Sequence, residues 1–488
     1  DLHSFPTRRS SDLLSKDTQT ETYGGSNGYL LQMVRAELRD SAKLTDDQID
    51  AGGYQIVTTI SKEDQDAAVA AVKALPSGYS SNLKVALVSM DATNGGILAL
   101  YGGSDFLTNQ VNSATSAIAQ AGSTYKPFAL VAALENGATL ANTFDGSSPQ
   151  TIDGTQFQNF QNVSYGMVNL VRATQDSINT AYLHLNDAVG PEKTNDVAVR
   201  AGYPQDTQGM NTYLQNVLGS ASPHTLDIAT AYTTFASQGT RYTPHIVSKA
   251  TNKSGDVVYS GPTSGEKVFD DDVMADATYA MQQVVKNGSG KTAQELGRPV
   301  AAKTGSSSDN KSAQFAGFTP QIATAVTLYQ SGPNGEEESI TPWGDYDEIT
   351  GSTYPADIFT AYMKTALNGL EVKDFPDRSS GSSQPGKLGG GSALAPQQES
   401  TATAQPQEPV EPGNQSTGAP EPGNGRLQNP EPGGTGRQNP GGDNGDDNGG
   451  GNGQNPGGDN GGGNGQNPGG DDNGGGNGQN PGGGGNGR

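Results

Sequence analysis

A break in composition at Ser379 divides this chain into a part that can build a core and a part that cannot. From Ser379 to Arg488 there are 36 glycines in 110 residues, no aromatic residue, 11 acids and 4 bases. So little apolar surface cannot offset the conformational entropy of the backbone, and residues 379–488 read as a disordered Gly/Asn/Pro-rich tail. A repeat, QNPGGDNG with GGGNG spacers, recurs at Gln438, Gln454, Gln466 and Gln479. Collagen is excluded because the glycines keep no strict Gly-X-Y period.

The formal charge of −23 leaves −16 on the first 378 residues once the −7 of the tail is removed. An acidic body of that kind argues against a nucleic-acid phosphate track. With no cysteine in the chain, thiol catalysis, thiolate zinc sites and disulfides are excluded. No run of about 18 apolar residues occurs, so no transmembrane helix or signal-peptide core is read in the chain as given. Asp1 to Leu13 (DLHSFPTRRSSDL) reads as the translation of a sequencing adapter and is set aside. The natural start is expected upstream, with any domain or membrane anchor that precedes it.

Residues 14–79 read as a linker or connecting region, with an amphipathic stretch at Tyr29 to Leu38, an Asp-rich turn at Thr45 to Asp50, a strand at Tyr54 to Ile60 and a helix at Lys62 to Leu75. Lys84 to Met90 and Gly96 to Tyr101, joined by Asp-Ala-Thr-Asn-Gly, predict a hairpin that opens a domain spanning residues 80–370. Helical periodicity dominates from Ser123 to about Ala236. A β block follows at His245 to Ala250, Asp256 to Tyr259, Val300 to Thr304, Gln314 to Thr319 and Ile322 to Tyr329, and a helix at Asp357 to Leu367 closes the domain. The expected class is α+β: an antiparallel sheet whose N- and C-terminal strands meet, flanked by helices, with an all-helical lobe alongside.

Among candidate chemistries, Gly288-Ser289-Gly290-Lys291-Thr292 looks like the end of a phosphate-binding loop, but Val285 stands where the first glycine is required. Neither a G-x-S-x-G elbow nor an H-E-x-x-H pair is present, and His184, His224 and His245 are scattered. A serine activated by lysine remains. Ser-x-x-Lys occurs at Ser81/Lys84, Ser123/Lys126, Ser264/Lys267 and Ser308/Lys311. Only Ser123 sits where a loop enters an apolar helical run, which places Lys126 on the same helix face and gives the serine a helix N-terminus that favours negative charge. Ser177-Ile178-Asn179 falls in a helical stretch, and Lys303-Thr304-Gly305, which occurs once, ends an apolar run. The order Ser-x-x-Lys, Ser-x-Asn, Lys-Thr-Gly, about 50 and then about 125 residues apart, is the signature of penicillin-recognising active-serine enzymes.

With these motifs the chain resembles the transpeptidase domain of class A, bifunctional penicillin-binding proteins, most like actinobacterial members. The resemblance runs from about Tyr54 to Leu367 through GGYQIVTTI, QAGSTYKPF, YGMVNLVRATQDSINTAY, VVKNGSGKTA, AAKTGSS, FAGFTP and ITGSTYPA. It implies the penicillin-binding and β-lactamase-like fold, and a D,D-transpeptidase that acts outside the membrane on peptidoglycan stem peptides and is acylated by β-lactams. Family members carry a membrane anchor and a glycosyltransferase domain ahead of this region. By the resemblance Ser123 is the nucleophile, Lys126 the base and Ser177 a proton relay. Asn179 holds the substrate amide, Lys303 and Thr304 receive the terminal carboxylate, Gly305 leaves room for the ligand, and the N–H groups of Ser123 and Ser306 form the oxyanion hole.

Ser306 and Ser307 stand where threonine is common, Ala119 and Ala121 replace frequent Arg and Pro, and Gln314 replaces a usual Trp, which puts substrate contacts at Gln314 in question. No hydrolytic base is identifiable, which favours an amine acceptor over water. Cofactor and metal are not expected. The alternatives are a non-catalytic wall-binding or β-lactam-sensing module on the same fold, and a D,D-carboxypeptidase.

Overall fold

The computed structural model describes residue 20, residues 22–379 and residues 383–388. The adapter-like leader and the repeat-bearing tail lie outside the described residues, apart from Ser379 and residues 383–388.

A central sheet is built from β1 (Leu83–Asp91), β2 (Ile97–Tyr101), β3 (Ala301–Ser306), β4 (Ser312–Phe318), β5 (Ile322–Ser331) and the short β6 (Glu337–Glu338). Its order is β3-β4-β5-β1-β2, with β6 on β5, and every pairing is antiparallel. The N- and C-terminal strands meet as expected, Leu83 to Asp91 lying against Gln330 to Ile322. β4 and β5 are buried along almost their whole length, so they read as continuous apolar or small-residue runs, the mark of a sheet covered on both faces. The hairpin turn takes its positive φ at Gly95 alone, at +80°.

The helices are α1 (Asn27–Asp40), α2 (Asp46–Ala51), α3 (Lys62–Lys73), α4 (Lys126–Glu135), α5 (Leu170–Gln175), α6 (Asn179–Val189), α7 (Pro191–Ala201), α8 (Thr225–Ala236), α9 (Asp271–Lys286) and α10 (Tyr354–Ala366). α3 and α10 cover one face of the sheet through Ala68, Val72, Phe359, Tyr362 and Met363. The other face buries α8 and the helical lobe through Phe128, Leu130, Tyr182, Tyr232 and Phe235. α9 runs beside the edge strand β3.

Three expectations are corrected. The Asp-rich segment at residues 45–50 is helix α2, because Thr45 and Gln48 form a reciprocal capping box at its start. His245 to Ala250 and Asp256 to Tyr259 do not join the central sheet; strands Val247–Thr251 and Val257–Ser260 form a separate three-stranded sheet with Gln55–Thr58. The 16-residue helix α9, unread within the β block, buries Met274, Ala277, Met281 and Val284 at helical spacing.

Residues 55–73, read above as part of a connecting region, are tied into the sheets. Gln65 on α3 is buried and treats the edge strand β2 as a partner strand would. Its Nε2 donates to Leu100 O at 2.8 Å, and Leu100 N donates to its Oε1 at 2.9 Å. Gln65→Leu leaves both backbone groups of Leu100 unpaired in an apolar layer, and is expected to cost about 2–4 kcal/mol of unfolding free energy in a denaturant titration. Loss of less than about 0.5 kcal/mol would show that α3 does not depend on this pair.

Candidate active site

Local sequence places the serine. Gly122–Tyr125 forms a 3₁₀ turn that runs into α4, where Pro127 sits in the first turn without sacrificing a helical hydrogen bond. Ser123 is half-buried at the head of this turn, and Lys126, one turn on, is fully buried. The other Ser-x-x-Lys copies fail as sites because Ser81, Ser264 and Ser308 are all exposed.

Ser177 lies between α5 and α6 and not within a helix, correcting the expectation. It adopts φ +55°, a left-handed conformation that costs a non-glycine residue about 1 kcal/mol. That kink turns its hydroxyl inward to meet the two lysines. Lys126 Nζ lies 3.1 Å and Lys303 Nζ 2.8 Å from Ser177 Oγ. Lys126 also donates to Ser177 O at 2.6 Å and Asn179 Oδ1 at 2.7 Å, while Lys303 donates to Thr304 O at 3.0 Å. Asn179 opens α6, and its Nδ2 donates to Gln158 O at 2.8 Å.

Among the described residues, the hydrogen bonds of both lysines go to hydroxyl, carbonyl and amide oxygens, and no carboxylate neutralises either one. Burial therefore pushes Lys126 well below the ordinary lysine range, and the neighbouring Lys303 charge pushes it the same way. Burial alone pushes Lys303 down to about 7. The Tyr182 ring forms a wall 5.5 Å from Lys126 Nζ.

β3 supplies the opposite side. Gly305 has no space for a side chain, since a Cβ there would stand 2.6 Å from Ala121 O and 2.8 Å from Thr124 Cγ2. The room expected for a ligand is occupied by the serine turn itself, so this glycine permits β3 to pack against the nucleophile segment. Thr304 Oγ1 lies 2.6 Å from Ser289 Oγ, and Ser306 Oγ accepts from Gly351 N at 3.2 Å.

Gln314, whose substrate contacts were in question, faces inward. Its Nε2 donates to Gln120 O at 2.7 Å, its Oε1 accepts from Thr124 Oγ1 at 3.1 Å, and Ser312 Oγ donates to the same Gln120 carbonyl at 2.7 Å. On the far side of the turn, Tyr125 Oη donates to Asn195 Oδ1 at 2.8 Å and Tyr232 Oη to Thr124 O at 3.0 Å. Sequence reading missed Ser289, Ser312, Asn195 and Tyr232. Except for Ser289, which lies within the VVKNGSGKTA stretch, none carries a local motif that could have flagged it.

The site thus gathers a half-exposed hydroxyl, two desolvated amines and a shared serine between them, an arrangement suited to moving a proton from a nucleophile to a leaving group. The family described as "Penicillin binding protein transpeptidase domain" matches residues 85–342. Penicillin-binding protein 1A of Mycolicibacterium smegmatis is 33% identical over 434 residues, covering 84% of this chain and 53% of that protein. The protein of that name from Mycobacterium tuberculosis is 33% identical over 395 residues, covering 76% and 46%. The chain therefore spans about half the length of these relatives. The solved structure of PonA1 from Mycobacterium tuberculosis in complex with penicillin V superposes with a TM-score of 0.68 at 31% identity, over 74% of this chain and 98% of that one. Penicillin-binding protein 1A from Haemophilus influenzae shares the fold, with a TM-score of 0.62 at 20% identity over 72% of this chain and 71% of that one. By the matched segment and by these relatives, the chain belongs to the penicillin-binding protein transpeptidase family.

Proposed function

We propose that this domain is a peptidoglycan D,D-transpeptidase that works through an acyl-enzyme on Ser123. The observation that carries the reading is the convergence on the Ser177 hydroxyl of two fully buried lysines, Lys303 and Lys126, of which Lys126 stands one helical turn after Ser123. Ser123 Oγ attacks the carbonyl carbon of the penultimate D-alanine of a stem peptide and its proton passes to the neutral Lys126 amine. Lys126, now an ammonium, donates to Ser177 Oγ, and Ser177 passes its own proton to the leaving nitrogen. The peptide C–N bond breaks and terminal D-alanine departs with its amine protonated. An acceptor amine then attacks the ester, forming the cross-link amide and returning the Ser123 hydroxyl.

The remaining groups fit this sequence. The backbone N–H groups of Ser123 and Ser306 stabilise the oxyanion. Asn179 holds Lys126 through Oδ1, and its second amide proton, without a partner among the described residues, serves a substrate carbonyl. Ser306 accepts from Gly351 N and keeps its own proton, which with Thr304 and Lys303 serves the terminal carboxylate. Gly305 brings the strand close enough for the donor peptide to pair along β3. Penicillin V is bound in the solved PonA1 relative, and β-lactams are the expected covalent inhibitors here. The substrate places the chain outside the membrane. That the full-length form also carries an anchor and a glycosyltransferase domain rests on the family resemblance.

Intact-mass analysis after exposure to a penicillin tests the nucleophile. Ser123→Ala is expected to abolish the adduct and Ser264→Ala to leave it whole; equal labelling of both variants would overturn the assignment and favour a non-catalytic module. Lys126→Met is expected to slow acylation by about 10²–10⁴-fold with the fold intact by circular dichroism. A pH profile of acylation tests the coupling between the lysines. The positive charge of Lys303 disfavours protonated Lys126, so Lys303→Gln is expected to raise the Lys126 pKa and move the acid limb of the profile to higher pH. An unmoved limb would mean that Lys126 is not the titrating base.

A further inference from the structure

The stretch Gly288-Ser289-Gly290, which resembles a phosphate loop without its first glycine, has a different use in the fold. It follows α9 and folds back on the end of that helix, Gly288 N and Gly290 N both donating to Val284 O at 3.1 and 2.9 Å. Gly288 is forced by close approach, because a Cβ there would stand 2.1 Å from the carbonyl oxygen of Gln175. Gln175 ends α5, two residues before Ser177. The turn is therefore wedged between the segment that carries Ser177 and the edge strand that carries Lys303 and Thr304.

Between the two glycines, Ser289 sends its hydroxyl to Thr304, 2.6 Å from Oγ1. Close approach accounts for Gly288 but not for a hydroxyl at 289. Two hydroxyls that share one hydrogen bond hold two protons and use one. This pair has no other side-chain partner among the described residues. With Ser289 as the donor, the unspent proton lies on a strand residue next to Lys303, where an anionic group would take it, and donation from the first hydroxyl strengthens donation by the second.

We propose that Ser289 is a positioning residue for the terminal carboxylate of the donor peptide. Its O–H donates to Thr304 Oγ1, which fixes the Thr304 rotamer and turns the Thr304 proton toward the carboxylate. The inference rests on the transpeptidase reading above, and it assigns to this turn the recognition of a free C-terminus.

The test uses the full chain and two thioester donors, one ending in a free carboxylate and one in the corresponding methyl ester, with second-order acylation rates measured by mass spectrometry. Ser289→Ala is expected to slow acylation by the free acid about tenfold, through weaker binding and not through a lower limiting rate, and to leave the ester within about twofold. Ser289→Thr, which keeps the hydroxyl, is expected to restore the acid rate. In a Thr304→Val background Ser289→Ala is expected to have no further effect. An equal fall with both donors, an undiminished fall in the Thr304→Val background, or no fall at all would overturn the role of Ser289 while leaving the transpeptidase reading intact. A wild-type chain acylated by neither donor nor by penicillin would overturn that reading and this inference together.

Discussion

Two lysine side chains withdrawn from solvent meet at one serine hydroxyl, and much of the architecture around the site exists to make that meeting possible. Burying an unpaired ammonium costs several kcal/mol, and a protein avoids the cost by supplying a counter-ion or by releasing the proton. Here no carboxylate is supplied to either lysine among the described residues, so burial pushes both down, and Lys126, which also feels the Lys303 charge, is the one favoured to release its proton and serve as a base. A solvated lysine could not do this at neutral pH.

The rest of the local structure keeps the three contributors in register. Lys126 arrives on α4, Ser177 at a strained junction between α5 and α6, and Lys303 on the edge strand β3. The serine turn is held by paired clamps: Ser312 and Gln314 grip the Gln120 carbonyl from the sheet, and Tyr125 and Tyr232 anchor the turn to the helical lobe. Such buried, mutually satisfied polar contacts fix a geometry more strictly than apolar packing, which tolerates repacking at constant volume. The left-handed Ser177 is affordable because two lysines and the flanking helices over-determine it.

Legibility in the sequence followed the range of the interactions. The β1–β2 hairpin was readable because its turn chemistry is local, and α3 because its Ala-rich pattern lies within one segment. The α9 pattern was also local; an acidic first turn and buried residues at helical spacing were present and went unread among neighbouring strands. The catalytic candidates were legible as an ordered set of motifs, yet the conformation of Ser177 was not, because its φ is decided by partners 51 and 126 residues away. Gln314 shows the same limit. Its substitution for an aromatic residue looked like a change at a substrate wall, but the side chain turns inward to a loop 194 residues distant. Ser289 was hidden inside a stretch that resembled something else.

Nitrogen NMR of the full chain with labelled lysine side chains tests the central claim most directly, since it reports the protonation of each Nζ, with Lys126→Met and Lys303→Gln used to assign the signals. The account predicts a neutral Lys126 amine at neutral pH, titrating far below the exposed lysines. A Lys126 signal that stays protonated until the pH reaches the ordinary lysine range would contradict it.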